Sequence, residues 1–152
     1  MKDPLDRFVD AQAGGIHERA LSEIVAGCKR SHWMWFVLPQ LRGLGRSAMA
    51  ERYGLSGAAE ARAYAGHPVL GPRLVACVTA MLGHADRPAS DVLGAVDAVK
   101  LRSCLTLFEA VAPEAPCFAA ALDAFYRGER DPATLDLIFP PRGTGGGYVA
   151  NS

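Results

Sequence analysis

The chain has 152 residues, half of them hydrophobic and 21% charged, a composition typical of one soluble globular domain and not of a disordered protein. Sixteen basic residues balance sixteen acidic ones, which makes an extended nucleic acid an unsuitable partner for the molecule as a whole. Residues 28–52 nevertheless hold five cations and one acid, Glu51, which predicts a local positive patch suited to a small anion.

The four cysteines do not form a CxxC pair, and each sits among apolar residues at helical spacing, which predicts buried free thiols rather than metal ligands. The first ten residues carry acids where a signal peptide needs an apolar run. No apolar segment approaches the roughly 18 residues of a membrane span. We therefore expect a cytoplasmic protein with no membrane association, no metal and no cofactor.

Apolar residues recur at the three-to-four spacing of α-helices along most of the chain. The first stripe follows Asp3-Pro4 and ends at Gly14-Gly15. The next runs from Ile16 to Cys28 and places charged residues such as Glu23 on its outward face. Both segments are therefore predicted to be amphipathic helices.

Residues 33–38, WMWFVL, are apolar on every side, so periodicity does not separate a buried helix from a buried strand there. Ser31 as a cap and Pro39 as a stop favour about two helical turns. Residues 83–90 are predicted to form a loop. Capping residues and breakers define further helices that begin at Ser47, Ser56, His67-Pro68, Asp97, Pro116 and Asp131-Pro132.

No run shows sustained strand alternation, so the expected fold is all-α, a single compact domain of about seven or eight short helices with no sheet. This domain is expected to cover residues 1–138, and residues 139–152 are expected to form a flexible tail rich in proline and glycine. The predicted core includes Trp33, Phe36, Leu74, Leu101, Leu105, Phe108 and Leu122.

The segment from Lys29 to Ser47 combines both tryptophans of the chain with four cations. Burying a tryptophan removes on the order of 150–250 Å² from water, which alone explains Trp33 and Trp35 as core residues. A ring flanked by arginines also stacks on a planar ligand, so at least one of the two is a candidate pocket wall. His32, beside the first tryptophan, is either a hydrogen-bonded structural histidine or a base.

The turn Arg42-Gly-Leu-Gly-Arg-Ser47 indicates a binding site more specifically than His32 does. Gly45 allows a ligand to approach the backbone closely, Ser47 begins a helix, and Arg42 and Arg46 offer two guanidinium groups for an anion. The alternative is a tight turn with a serine cap and two solvated arginines. The sequence leaves both interpretations open.

Lys100, Ser103 and Thr106 share one face of a predicted helix, largely opposite its apolar face. Such a face is ordinarily solvated, and it gains interest only if the fold brings it against residues 29–47. We then expect at least three polar residues of these segments to line one pocket beside a tryptophan. The candidate ligand-binding residues are His32, Trp33, Trp35, Gln40, Arg42, Gly45, Arg46, Ser47, Lys100 and Ser103.

With these segments in view, residues 3–138 resemble a family of small, mainly helical bacterial proteins, the domain of unknown function numbered 1810. The resemblance rests on KRSHWMWFVLPQLRGLGRS, YGLSGAAEARAYAGHPVLGPRL and DAVKLRSCLTLF. It implies a compact helical fold and no particular activity. Some members carry a calpastatin label, but such inhibitors are disordered and repetitive, whereas this chain has a predicted core and no repeats.

Two functions follow as hypotheses. In the first, the protein binds a small anionic ligand, phosphate-bearing or nucleotide-like, at the site lined by arginine, glycine and tryptophan. In the second, it is an interaction module for a protein or nucleic acid, and the aromatic residues belong to the core. Nothing in the sequence assigns catalytic residues, an enzymatic reaction or an oligomeric state.

Overall fold

The computed structural model describes residues 3–140, and the all-α prediction is confirmed for them, with ten helices in place of the seven or eight expected. No strand occurs in this range, where the one β-type pairing is an isolated bridge. The predicted tail lies outside the described residues from residue 141 onward. The helices are α1 (Asp6–Ala11), α2 (Ile16–Ala26), α3 (Met34–Val37), α4 (Ala48–Tyr53), α5 (Ala58–Gly66), α6 (Leu70–Leu82), α7 (Ala89–Leu93), α8 (Ala95–Val111), α9 (Cys117–Tyr126) and α10 (Pro132–Ile138).

Helix α8 is the central element, and it contacts α5, α7, α9 and α10. This position explains why its Ser103 and Thr106 are buried, although the sequence placed them on a solvated face. The seven residues predicted for the core all belong to one buried cluster, so that prediction is confirmed. Phe108 packs on Tyr64 and Phe118, with ring centroids 5.6 and 5.7 Å apart.

Two predicted boundaries near α8 differ from the structure. Part of the expected loop 83–90 already belongs to α7, which starts at Ala89. Helix α8 starts at Ala95, two residues before the expected cap Asp97. The carboxylate of Asp97 instead forms ion pairs with two lysines, because it lies within the first turn and faces them.

The apolar segment 33–38 contains one helical turn, α3, rather than two. Ser31 does not cap it, because the Ser31 hydroxyl donates a hydrogen bond to Glu23 instead. Helix α3 contacts α1, α4 and α6, so its side chains are enclosed from several directions. This enclosure accounts for the absence of a polar face in the sequence.

A close backbone crossing follows α3. Arg42 N donates to Leu55 O at 2.8 Å, and Leu55 N donates to Gln40 O at 3.0 Å, forming the isolated parallel bridge. A Cβ atom added to Gly54 would lie 2.6 Å from Ala50 O and from Arg42 Cα. Glycine at position 54 therefore lets the chain pass close enough to fix Gln40 and the turn that follows it.

The variant Gly54→Ala is expected to lower the free energy of unfolding by about 1–3 kcal/mol, the usual effect of overpacking against backbone atoms. Chemical denaturation monitored by circular dichroism measures this change. Gly66→Ala is the matched control, since a Cβ atom there meets nothing within 4 Å. Equal stabilities of the two variants would show that the crossing tolerates a side chain.

Candidate functional site

The carboxylate of Glu23 on α2 fixes the start of the aromatic segment. Its Oε1 atom accepts hydrogen bonds from Arg30 N at 2.8 Å, Ser31 N at 3.0 Å and the Trp33 indole at 2.9 Å. Its Oε2 atom accepts one from Ser31 Oγ at 2.6 Å. Burial alone would raise the pKa of Glu23, but these donors outweigh it and hold the pKa at about 2.

The two tryptophans have different environments. Trp33 is 1% exposed and belongs to the core, with Lys29 Nζ 4.9 Å from its ring centroid. Trp35 is only partly buried, and Lys100 Nζ lies 3.7 Å from its ring centroid. Trp33 is therefore mainly a core residue that also borders a cavity beside His32, whereas Trp35 forms a wall of a separate cavity.

That cavity, which we call the Trp35 cavity, has a volume of about 440 Å³. It brings together Trp35, Gln40, Gly45, Lys100 and Ser103, which the sequence predicted to converge from distant segments. Three of the polar candidates thus line one cavity beside a tryptophan. The complete lining is Trp35, Gln40, Leu44, Gly45, Val96, Val99, Lys100, Ser103, Asp131 and Ala133.

Gln40 is the unusual polar group of this cavity. The residue is only 9% exposed, yet its side-chain amide has no hydrogen-bond partner within residues 3–140. Its atoms are not among the fully enclosed unpaired atoms, so the amide remains accessible from the cavity. A buried amide is normally paired, because leaving it unpaired costs about 1–3 kcal/mol.

Two acids set the charge of the cavity. Asp97 pairs with Lys29 Nζ at 2.9 Å and with Lys100 Nζ at 3.2 Å, so two ammonium groups share one carboxylate. Asp131 caps α10 and accepts hydrogen bonds from Thr134 N at 3.2 Å and Ser103 Oγ at 2.9 Å. The lining of the cavity therefore carries one ammonium group, on Lys100, and one carboxylate, on Asp131.

The predicted arginine clamp does not form at the Trp35 cavity. Arg42 lines a separate cavity of about 580 Å³ with Arg7 and Arg52, where the acids Asp3 and Asp10 are also present. Arg42 Nε donates to Glu51 O at 3.1 Å. The exposed Arg46 lies outside the residues that line either cavity.

Ser47 acts as a helix cap, as the alternative interpretation of this turn predicts. Its Oγ atom accepts the hydrogen bond of Ala50 N at 3.1 Å and so caps α4. Gly45 lines the Trp35 cavity, and a Cβ atom there would lie 3.0 Å from Ala50 Cβ. The turn therefore contributes backbone to the cavity but no guanidinium group.

His32 is exposed and borders a third cavity of about 410 Å³, with Arg19, Arg30 and Trp33 among its neighbours. Within the described range its imidazole has no acid that orients it, which gives no support to a role as a catalytic base. In the same range no cluster of three or more His, Cys, Asp or Glu side chains could hold a metal ion. None of the helices from α1 to α10 has the length and apolar character needed to cross a bilayer.

Glu23 and Asp131 are organising acids that their local sequence does not reveal. Glu23 lies on the face of α2 that is predicted to point outward, and no local pattern indicates that residues 30–33 fold back onto it. The sequence around Asp131 predicts only a helix cap, because its contact with Ser103 spans 28 residues. Asp97 pairs with Lys29 and Lys100, whereas Glu60 pairs with Arg7 at 3.0 Å.

The sequence matches, over residues 2–138, the family described as proteins of unknown function, DUF1810. The chain belongs to this family. Its fold is similar to the crystal structure of the conserved hypothetical protein Rv1873 from Mycobacterium tuberculosis, with a TM-score of 0.86 and 44% sequence identity. That likeness covers 90% of this chain and 98% of the other. No curated protein matches the sequence.

Replacing Glu23 by glutamine is expected to destabilise the protein by about 1.5–3 kcal/mol at neutral pH, because several donors lose a charged acceptor. The pKa of this carboxyl falls from 4.5 to about 2 on folding. Its stabilising effect is therefore complete above pH 4.5 and is lost as the pH falls towards about 2. The stability difference between wild type and Glu23→Gln should shrink across that interval.

Denaturant titrations between pH 7 and pH 2 measure this difference. Glu129→Gln is the control, because the exposed Glu129 side chain makes no hydrogen bond or ion pair within the described range, and a change within about 0.5 kcal/mol is expected. Other carboxyls with lowered pKa values are common to all three proteins and cancel. A difference that does not depend on pH would disprove the assigned role of the Glu23 charge.

Proposed function

We propose that the protein binds a small organic anion in the Trp35 cavity, of the phosphate-bearing or nucleotide-like kind suggested by the sequence. The unpaired amide of Gln40 carries this proposal. It is 9% exposed, accessible from the cavity and adjacent to Gly45, since a Cβ atom on Gly45 would lie 3.9 Å from Gln40 Nε2. A ligand that hydrogen-bonds to this amide would give it a fixed partner in place of the solvent of the cavity.

The charges indicate which groups the ligand carries. Lys100 shares Asp97 with Lys29, so the two lysines leave one positive charge without a matching carboxylate. An anionic group of the ligand beside Lys100 would balance this positive charge. Asp131 and the Ser103 oxygen, by contrast, present acceptors, which suit hydroxyl or amino donors on the same ligand.

The remaining walls suit an apolar or planar body. Leu44, Val96, Val99 and the Trp35 ring line the same cavity. A volume of about 440 Å³ lies within the range of about 300–1,000 Å³ found for small-molecule sites. A mononucleotide combines a phosphate, hydroxyl groups and a planar base, so it matches all three features of the lining.

The proposal concerns binding and not a reaction. The only hydroxyl nucleophile in the lining, Ser103, donates to Asp131, and the lining contains no histidine that could serve as its base. Neither Arg42 nor Arg46 is needed for this site. We further propose a cytoplasmic location, which the free thiols of all four cysteines support.

A second candidate function is supported by the rim of the same cavity. Val96 and Val99 on α8 are 70% and 68% exposed, an arrangement that also suits an apolar protein partner. Such a partner would cover the valines without needing the ammonium group of Lys100. The effect of removing that charge therefore distinguishes the two functions.

The test uses the two indole N–H signals of the ¹⁵N–¹H spectrum, assigned with Trp35→Phe. Adenosine monophosphate should shift the Trp35 signal, and adenosine, which lacks the anion, should bind at least about tenfold more weakly. Lys100→Gln should weaken binding of the nucleotide by a similar factor, whereas Arg46→Gln should not. A Trp35 signal that nucleoside monophosphates and sugar phosphates leave unchanged would reject the proposal.

A separate prediction concerns Gln40→Leu. Because the amide has no partner within residues 3–140, its replacement by an apolar side chain of similar size should leave the stability unchanged or raise it by up to about 1 kcal/mol. The same variant should weaken nucleotide binding at least severalfold. A loss of stability above about 2 kcal/mol would show that Gln40 has a structural role instead.

A further inference from the structure

We infer a second anion site, distinct from the Trp35 cavity, in the cavity bordered by His32. This His32 cavity has a volume of about 410 Å³ and is lined by Ile16, Arg19, Arg30, Ser31, His32, Trp33 and Phe36. It shares no lining residue with the Trp35 cavity. Its ligand class is a small phosphate monoester that carries an aromatic or otherwise planar group.

The basic side chains of this cavity are not neutralised within residues 3–140. Arg19, Arg30 and His32 are exposed, and their side chains form no ion pair or hydrogen bond in that range. Arg30 does contact Glu23, but through its backbone N–H, so its guanidinium group is not used. Two unpaired guanidinium groups that border one cavity favour the binding of an anion there.

The carboxylate of Glu23 forms no ion pair with the side chains of Arg19 or Arg30. Both oxygens of Glu23 are occupied by donors from residues 30, 31 and 33. Glu23 and Arg19 are also four positions apart on α2, so they share one face of the helix. The carboxylate thus organises the cavity wall and leaves the guanidinium groups for a ligand.

The cavity is held in place before a ligand arrives. The Trp33 indole is bonded to Glu23, and Phe36 packs on Tyr53 with ring centroids 5.3 Å apart. The carbonyl of Phe36 accepts from Gln12 Nε2 at 2.8 Å and from the Tyr64 hydroxyl at 3.2 Å. A site with a fixed wall loses little conformational entropy on binding, which favours affinity.

The lining also defines the ligand. Two guanidinium groups and an imidazole match the oxygens of a phosphate group, since arginine binds such groups through two parallel hydrogen bonds. The apolar part of the lining is mainly Ile16, which is 37% exposed, together with the small exposed parts of Phe36 and Trp33, at 7% and 1%. This part suits a planar group attached to the phosphate. Inorganic phosphate would use only the first of these features.

Phenyl phosphate is the probe for the test, with inorganic phosphate and phenol as separate titrations. We expect it to shift the indole signal of Trp33, and to bind at least about tenfold more tightly than inorganic phosphate or phenol. Arg19→Gln and Arg30→Gln should each weaken binding by about tenfold, whereas Arg46→Gln should not. Because the side chains of both arginines lack partners in the described range, these variants should keep the wild-type circular dichroism.

A Trp33 signal that phenyl phosphate does not move, or an Arg19→Gln/Arg30→Gln double variant that binds like Arg46→Gln, would overturn the inference. Equal affinity for phenyl phosphate and inorganic phosphate would also overturn it, because the apolar wall would then contribute nothing. A shift confined to Trp35 would support the proposed function and reject the second site. Binding of a phosphotyrosine peptide without binding of phenyl phosphate would assign the surface to a protein partner and reject a small-molecule site.

Discussion

The carboxylate of Glu23 determines where the aromatic segment lies. Its oxygens accept hydrogen bonds from two backbone amides, one hydroxyl and the Trp33 indole, all within an eleven-residue stretch of chain. The other end of the segment is fixed by the Phe36 carbonyl, which accepts from Gln12 and Tyr64. Between these two anchors the orientations of Trp33 and Trp35 are set, and with them the walls of the Trp35 and His32 cavities.

The positions of the acidic residues determine which cations are paired within the fold and which could still pair with a ligand. Arg7 is paired with Glu60, and Arg42 lies in a cavity that also contains Asp3 and Asp10. Lys29 and Lys100 share a single carboxylate. A positive patch that the sequence suggested as one unit is therefore divided by the fold, and only part of it faces a cavity suited to a ligand.

Periodicity predicted the helical class because α2, α6 and α9 each bury one apolar stripe, and such stripes survive in the sequence whatever their partners are. It failed for α3 and for the Ser103 face of α8, since both are enclosed on several sides. For the site, spacing brought Lys100 and Ser103 together. The contacts of Lys100 with Trp35 and of Ser103 with Asp131 join distant segments, so no local sequence pattern predicts them.

Two buried polar side chains, His17 and Gln40, have unpaired atoms within residues 3–140, and the contrast between them bears on function. The Nδ1 atom of His17 is fully enclosed, and burial together with the positive charge of Arg73 lowers the pKa of this imidazole. No ligand reaches such an atom, so its lost hydrogen bond is a consequence of packing. The amide of Gln40 is almost as buried but accessible from a cavity that also contains an ammonium group, a hydroxyl and a carboxylate. Packing alone does not require glutamine there, because leucine has a similar size and no unpaired atoms. An unpaired amide that reaches a cavity of this composition is the observation on which the proposed ligand site rests.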